Sequence, residues 1–254
     1  MRRGQSILHR PFLQAAITTG LNLFLPPLCG ICGEKLYSPG LCVACFQHMR
    51  AITDPICIKC GRPLHLLLPD ALCGKCLTSP MPLRYLRSAY QYSQASRTLI
   101  LPFKHAGQMQ IAATLCPLMM PAFTNLITDK HIVISIPLHW KRLMHRRYNQ
   151  SAEIARRLCK ASARHFDTKA LYAPHFLRRH KQTDMLRGKS KNERKAILGK
   201  AFHIQDKYKP KIKGRPILLI DDVITTGSTL EEAARTLIEV GSGPVDGLVF
   251  ARVL

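Results

Sequence analysis

The sequence has few acidic residues and no long uncharged hydrophobic run. Only 15 of its 254 residues are Asp or Glu, against 38 Lys or Arg, so the formal net charge is +23. A surface of that sign favours polyanionic partners: nucleic acid, phosphorylated small molecules or acidic lipid headgroups. The absence of a run of about 18 apolar residues argues against a membrane-spanning helix. An apolar content of 46% excludes a wholly disordered chain.

Several familiar catalytic patterns are absent too. The 11 histidines lack the spacing of metal ligands. No arrangement typical of a Ser-His-Asp hydrolase or of a glycosidase is recognisable. The chemistry of this protein must therefore be sought in its cysteines, its paired acids and its basic segments.

Cysteine is abundant, and eight of the ten cysteines form four Cys-x-x-Cys pairs. One such pair can bind one side of a tetrahedral zinc ion, and a second pair completes the coordination. The spacing predicts structural Zn²⁺, two ions in the simplest case, in a reducing compartment rather than disulfides. Pairing the first with the second and the third with the fourth is simplest, but a crossed pairing stays open. The ligands are Cys29, Cys32, Cys42, Cys45, Cys57, Cys60, Cys73 and Cys76.

Composition divides the chain into three parts. Residues 1–28 form an N-terminal amphipathic extension, residues 29–80 a double zinc ribbon, and residues 81–254 a larger domain. In the extension, apolar residues recur at helical spacing and predict a face that packs on the rest of the protein. The alternative is peripheral contact of residues 7–25 with the surface of the inner membrane.

The larger domain alternates strands and helices. Apolar runs predict strands at 131–136, 217–220 and 248–253, and helical periodicity predicts helices at 150–163 and 229–240. Such alternation implies an α/β fold with a doubly wound parallel sheet. The polar and basic residues 177–199 predict a long loop.

The most informative stretch joins an apolar strand to two acids, Asp221 and Asp222, then to a hydroxyl-rich loop and a helix. Ligands of open α/β sheets bind at the carboxyl ends of strands. Loop N–H groups and a helix N-terminus form an anion site there, while the acids can hold vicinal hydroxyls directly or through a cation. The pattern predicts a site for a 5-phosphorylated ribose. Its loop residues are Thr225, Thr226, Gly227, Ser228 and Thr229.

This stretch resembles the phosphoribosyl-pyrophosphate (PRPP) motif of type I phosphoribosyltransferases. From residue 28 onward the chain resembles the ComF/GntX family of competence-associated proteins, with further similarity at 101–107, 136–138 and 146–150. The resemblance implies a zinc-ribbon module before a phosphoribosyltransferase type I domain, and Mg²⁺ bound with PRPP. The glycine of the family's Arg-Gly-Phe-Asn-Gln is replaced by Arg147, and a usual Asn by Ile197.

Basic residues are candidates to bind pyrophosphate or to close over the substrate. By resemblance, residues 137–149 form the pyrophosphate-side loop and residues 177–195 a flexible hood. The alternative is an ordinary solvated basic surface. The candidates are Lys104, Arg142, Arg146, Arg147, Arg178 and Lys181.

The function favoured by the motif and by the resemblance combines PRPP binding with a role in natural competence. The protein is expected to be a phosphoribosyltransferase that handles single-stranded DNA in the cytoplasm, through salt-sensitive contacts with the DNA backbone. Aromatic residues are only 7% of the chain and are scarce in the basic segment, which argues against base readout. Two alternatives are a transferase for a nucleobase-like acceptor without a DNA role, and a non-catalytic zinc-ribbon adaptor for a helicase-like partner.

Overall fold

The computed structural model describes residues 26–65, 70–105, 107–138, 148–179 and 201–254. The strands in these ranges are β1 (Leu86–Gln91), β2 (Ile132–Ser135), β3 (Leu171–Tyr172), β4 (Leu177–Arg179), β5 (Phe202–Ile204), β6 (Ile217–Ile224) and β7 (Val245–Arg252). The helices are α1 (Val43–Gln47), α2 (Gly74–Thr78), α3 (Gln94–His105), α4 (Ile111–Thr124), α5 (Gln150–His165), α6 (Lys209–Ile212) and α7 (Ser228–Glu239). In this described part, no helix has the length and apolar character that crossing a bilayer requires. The predicted membrane-contacting segment, residues 7–25, lies outside it.

Five parallel strands form the central sheet in the order β1-β7-β6-β2-β3. The chain moves outward from β2 to β3, then returns to the other side of β2 as β6 and continues to β7. Open α/β sheets bind ligands at such a reversal of strand order, outside the carboxyl ends of the strands. The predicted doubly wound α/β fold is confirmed, and its switch point lies between β2 and β6.

The two faces of the sheet bury separate apolar clusters. Leu218 and Ile220 of β6 belong to the cluster under α3, α4 and α5, while Ile217 and Leu219 belong to the cluster under α7 and the β4–β5 pair. Successive strand residues point to opposite faces, so a strand covered on both sides needs a continuous apolar sequence. This explains why the core strands lack the alternation of apolar and polar residues that is typical of a half-exposed sheet.

Three predicted boundaries are wrong by more than two residues, and one of them is the start of the strand predicted at 248–253, which begins at Val245. The strand predicted to end at residue 220 continues through both acids to Ile224, because β7 pairs with β6 as far as Arg252. The loop predicted for 177–199 begins instead as β4, which pairs antiparallel with β5. Its Leu177 is buried with Phe202 of β5 in the second cluster, and this burial favours a strand over a solvated loop.

The cysteine-rich region covers the outer edge of β1. The backbone N–H of Ile52 donates to the carbonyl of Ala89 at 2.9 Å, and that of Leu86 donates to the carbonyl of Lys59 at 2.8 Å. Gly61 packs so closely that a Cβ there would lie 2.6 Å from the oxygen of Leu86. Since an open sheet edge leaves backbone groups unpaired, the cysteine-rich region protects the sheet as well as binding to it.

A buried carboxylate lies near the start of β7. Asp246, with no exposed surface, accepts hydrogen bonds from Nε of Arg84 at 3.0 Å and from the backbone N–H of Tyr85 at 3.1 Å. Nε2 of His131 lies 3.6 Å from its Oδ2. Burial alone would raise the pKa of Asp246, but the nearby His131 and the hydrogen bonds and charge of Arg84 outweigh burial and lower it. This carboxylate therefore stabilises the fold in its charged form.

We expect Asp246→Ala to lower the free energy of unfolding by about 2–4 kcal/mol, because it leaves a buried imidazole and a guanidinium without their anion. The pKa of Asp246 is lower in the folded state, so its stabilisation is present above the unfolded value of about 4. That stabilisation disappears as the pH falls through the folded value.

Urea denaturation of wild type and variant across the acid range measures this difference. Asp206→Ala is the matched control, because the Asp206 side chain is 92% exposed and its loss should change the stability little. Equal stability of Asp246→Ala and wild type at pH 7 would contradict the role given to this carboxylate.

Candidate functional site

The eight paired cysteines form two clusters of four. One contains Cys29, Cys32, Cys42 and Cys45, and the other Cys57, Cys60, Cys73 and Cys76; within each cluster the sulfur atoms lie within 4.8 Å of one another. Tetrahedral zinc, with Zn–S bonds of about 2.3 Å, requires sulfur–sulfur distances of about 3.8 Å. The Sγ atoms of Cys32 and Cys42 are 3.7 Å apart. Both clusters therefore fit a structural Zn²⁺, and the simple pairing is confirmed over the crossed one.

Backbone N–H groups support the thiolates of these clusters. The N–H of Cys42 donates to Sγ of Cys29 at 3.4 Å, and the N–H of Cys73 donates to Sγ of Cys57 at 3.3 Å. Burial alone would raise the pKa of each acceptor thiol, but these and neighbouring backbone hydrogen bonds lower it, to about 6 for Cys29 and about 7 for Cys57. One thiolate in each cluster is thus favoured near neutral pH, and zinc binds sulfur in that form.

The predicted acidic pair lies near the carboxyl end of β6. Oδ1 of Asp221 accepts from Oγ of Ser151 at 2.8 Å and from the backbone N–H of Asp222 at 2.9 Å. Oδ2 of Asp222 pairs with Nζ of Lys104 at 3.0 Å. Burial, followed by the neighbouring charge of Asp222, raises the pKa of Asp221 to about 7. Two carboxylates held this way favour a ligand that brings hydroxyl donors or a cation.

Ser151 is a site residue that the sequence reasoning missed. It stands in the first turn of α5, whose N-cap is Asn149. Oδ1 of Asn149 accepts from the N–H groups of Ser151 and Ala152, and its Nδ2 donates to the carbonyl of Ile136, just after β2. Asn149 thus fixes the start of α5 beside the strand ends. The signal available in the sequence was an Asn cap followed by a hydroxyl residue.

The hydroxyl-rich loop connects β6 directly to α7. Gly227 is the N-cap of α7 and has a φ of +91°, a left-handed conformation that favours glycine. The hydroxyl oxygens of Thr226 and Ser228 lie 3.0 Å apart, and the N–H of Ser228 donates to the former at 3.4 Å. The loop and the N-terminus of a 12-residue helix thus follow the acidic pair at the carboxyl end of β6. This arrangement suits an anion beside a polyol.

The basic candidates have different positions. Lys104, near the end of α3, reaches the acidic pair, and its side chain is only 20% exposed. Arg178 is exposed on β4, opposite His203 of β5, and so belongs to the separate two-stranded sheet. The other candidates lie outside the described residues; these are Arg142, Arg146, Arg147 and Lys181.

The parallel sheet and the two cysteine clusters together define the class of protein. It is a phosphoribosyltransferase-type α/β domain joined to a double zinc ribbon. The family model described as a double zinc ribbon domain matches residues 20–77. The model described as a phosphoribosyl transferase domain matches residues 152–250, which include β6, the hydroxyl-rich loop and α7.

The chain belongs to the ComF/GntX family. It is 31% identical over 208 residues to Competence protein ComFC of Bacillus subtilis, covering 79% of each chain. It is 30% identical over 207 residues to Competence protein F of Haemophilus influenzae, covering 80% of this chain and 86% of that protein. It is also 29% identical over 249 residues to DNA utilization protein YhgH of Escherichia coli K12, covering 91% of this chain and all of that protein.

We expect the purified protein to contain two zinc ions, because each cluster supplies a complete set of four thiolates. Cys57→Ser should lower the content to about one ion per chain, since it removes one ligand of the second cluster only. Elemental analysis by plasma mass spectrometry measures the content. Cys116→Ser, a change in the buried core outside both clusters, should retain two ions. Two ions in Cys57→Ser would contradict the assignment of ligands.

Proposed function

We propose that this protein binds PRPP with Mg²⁺ at the carboxyl edge of its sheet, acts as a phosphoribosyltransferase, and serves in the handling of DNA in the cytoplasm. The observation that carries the proposal is the order of elements beside the switch point of the sheet, where the Asp221–Asp222 pair is followed by the loop 225–229 and the N-terminus of α7. The family model that matches this region and the names of the relatives support it.

The loop would hold the 5-phosphate of the ribose. Gly227 has no Cβ, so the phosphate can approach the backbone closely there. The N–H groups at the start of α7 would donate to the phosphate oxygens, and the positive end of the helix dipole favours the same charge. The hydroxyls of Thr226 and Ser228, already 3.0 Å apart, are further donors at this end of the ligand.

The acids would hold the sugar. The carboxylates of Asp221 and Asp222 can accept hydrogen bonds from two vicinal ribose hydroxyls. Oxygen ligands of this kind are also those that Mg²⁺ prefers, so the donor set fits the ion; when bound, the ion would supply charge neutralisation for the diphosphate. Ser151 and Lys104 orient the two carboxylates, so the ribose would meet acceptors already held in place.

Transfer would break the bond between the anomeric carbon and pyrophosphate and form one from that carbon to the acceptor. The departing pyrophosphate takes the bonding electron pair, so positive charge develops on the ribose. The carboxylates of Asp221 and Asp222 would stabilise that charge. By resemblance, Arg146 and its basic neighbours would stabilise the charge on pyrophosphate.

We expect PRPP with Mg²⁺ to raise the melting temperature of the wild-type protein, because a ligand present at about 100 times its Kd stabilises the folded state by about 2.7 kcal/mol. The double change Asp221→Asn and Asp222→Asn should remove most of that shift by weakening the hold on the sugar and the ion. Thermal unfolding with and without ligand is the measurement. Asp206→Asn serves as the control, and a wild type without any shift would contradict PRPP binding.

A role in binding single-stranded DNA is favoured by the charge distribution. Residues 137–215 contain 23 Lys or Arg and 5 Asp or Glu. Many contacts between such residues and phosphates give affinity without sequence preference, released by salt. The relatives' names refer to competence and to DNA utilization. Together these features support DNA as the second ligand.

We expect the affinity for a single-stranded oligonucleotide to fall steeply with salt, since each phosphate contact contributes about 0.7 to the logarithmic slope. Changing Arg187, Lys189 and Lys191 to Ala should reduce the slope by about 2. Fluorescence anisotropy measures both quantities. Three exposed basic residues outside this segment, Lys35, Arg97 and Lys130, are changed to Ala as the control for the position of the charge. An affinity that is insensitive to salt would contradict the DNA role and leave PRPP binding unaffected.

A further inference from the structure

A lysine of the zinc ribbon contacts the loop proposed to bind the phosphate. Lys75 lies in α2, between the zinc ligands Cys73 and Cys76. Its Nζ donates to the backbone oxygen of Thr226 at 3.0 Å. The same Nζ lies 3.9 Å from Oε1 of Glu231, in the first turn of α7. One side chain therefore joins the second zinc cluster to the phosphate loop and to the first turn of α7.

The carbonyl that Lys75 holds belongs to the peptide between Thr226 and Gly227. In a planar trans peptide the C=O and the following N–H point in opposite directions. A carbonyl held toward the ribbon thus directs the N–H of Gly227 away from the ribbon. Glycine accepts either orientation of the peptide before it more readily than other residues, so a contact from outside the loop is needed to select one.

The charge of Lys75 also matters beside this loop. A Cβ on Gly227 would lie 3.6 Å from Oε1 of Glu231, so a carboxylate stands next to the place proposed for a phosphate. Lys75 and Arg235, whose Nη2 is 3.3 Å from Oε2, both pair with this carboxylate. Without the lysine, the repulsion between Glu231 and a bound phosphate would be larger.

The zinc cluster holds Lys75 in place relative to the sheet. Nη2 of the buried Arg252 donates to the carbonyl of the zinc ligand Cys60 at 2.6 Å. Arg252 pairs in register with Ile224, the last residue of β6 before the phosphate loop. The cluster is therefore attached to the strand ends from which the loop starts. Because Lys75 is flanked by two ligands of this cluster, its backbone is held in a fixed position.

We propose that Lys75 is a positioning residue for the 5-phosphate of the ligand. It orients the Thr226–Gly227 peptide so that the N–H of Gly227 donates to the phosphate, and it offsets the charge of Glu231. The second half of the zinc ribbon thus takes part in ligand binding by presenting this lysine. The inference rests on the proposed PRPP site.

Calorimetric titration of wild type, Lys75→Ala, Lys75→Arg and Lys59→Ala tests the proposal, with three probes: PRPP with Mg²⁺, ribose 5-phosphate, and pyrophosphate. Lys59 is the matched control, because it also directly precedes a ligand of the same cluster, while its backbone packs on β1. We expect Lys75→Ala to weaken PRPP and ribose 5-phosphate about 5- to 10-fold, as loss of one hydrogen bond to an exposed lysine implies. Lys75→Arg should retain most of the affinity, and Lys59→Ala and all pyrophosphate titrations should be unchanged.

A second readout does not depend on affinity. The amide nitrogen shift of Gly227 reports the hydrogen bond to the preceding carbonyl, so it should differ between ligand-free wild type and Lys75→Ala and return toward the wild-type value in Lys75→Arg. Zinc content, measured alongside, should stay at two ions. Equal affinities and equal shifts in wild type and Lys75→Ala would overturn this inference alone. Failure of the wild type to bind PRPP at all would instead overturn the proposed function.

Discussion

Two adjacent carboxylates near the end of a buried strand are the constraint on which the arrangement at the carboxyl ends of the strands depends. Placing Asp221 and Asp222 there costs free energy unless donors surround them. The structure supplies these from separate elements, with Ser151 from α5 and Lys104 from α3, and adds backbone N–H groups within β6 itself. The fold around the switch point therefore serves to keep two acidic side chains close together in an otherwise strongly cationic protein.

The zinc ribbon is part of the same arrangement rather than an independent attachment. A segment with so few apolar contacts of its own depends on metal to fix its shape. Once fixed, it covers the outer edge of β1 and receives the guanidinium of Arg252 at the carbonyl of Cys60. The ribbon thus stabilises the same end of the sheet that carries the acids and the hydroxyl-rich loop.

The sequence predicted the features that depend on local spacing. The four Cys-x-x-Cys pairs give the ligands of both clusters, and the apolar run before Asp221 with the loop after Asp222 gives the β6–α7 connection. Features that depend on distant partners were missed. The antiparallel pairing of β4 with β5 needs the burial of Leu177 by residues more than twenty positions away, and Lys75 meets a loop that only the fold brings near. The end of a strand also depends on a distant partner: β6 continues to Ile224 because it pairs with β7, and its own composition does not predict this.

If the protein binds both ligands of the proposed function, the acids give a physical reason why it would distinguish between them. The overall charge attracts any polyanion, so attraction alone cannot select PRPP from nucleic acid. Carboxylate oxygens accept hydrogen bonds, and they repel a phosphate that approaches without donors or a cation. A ribose offers the 2- and 3-hydroxyls to such a pair, whereas deoxyribose lacks the 2-hydroxyl and its 3-oxygen is esterified within a DNA strand. In the proposed function, the acidic pair would therefore accept the sugar phosphate and exclude a DNA strand.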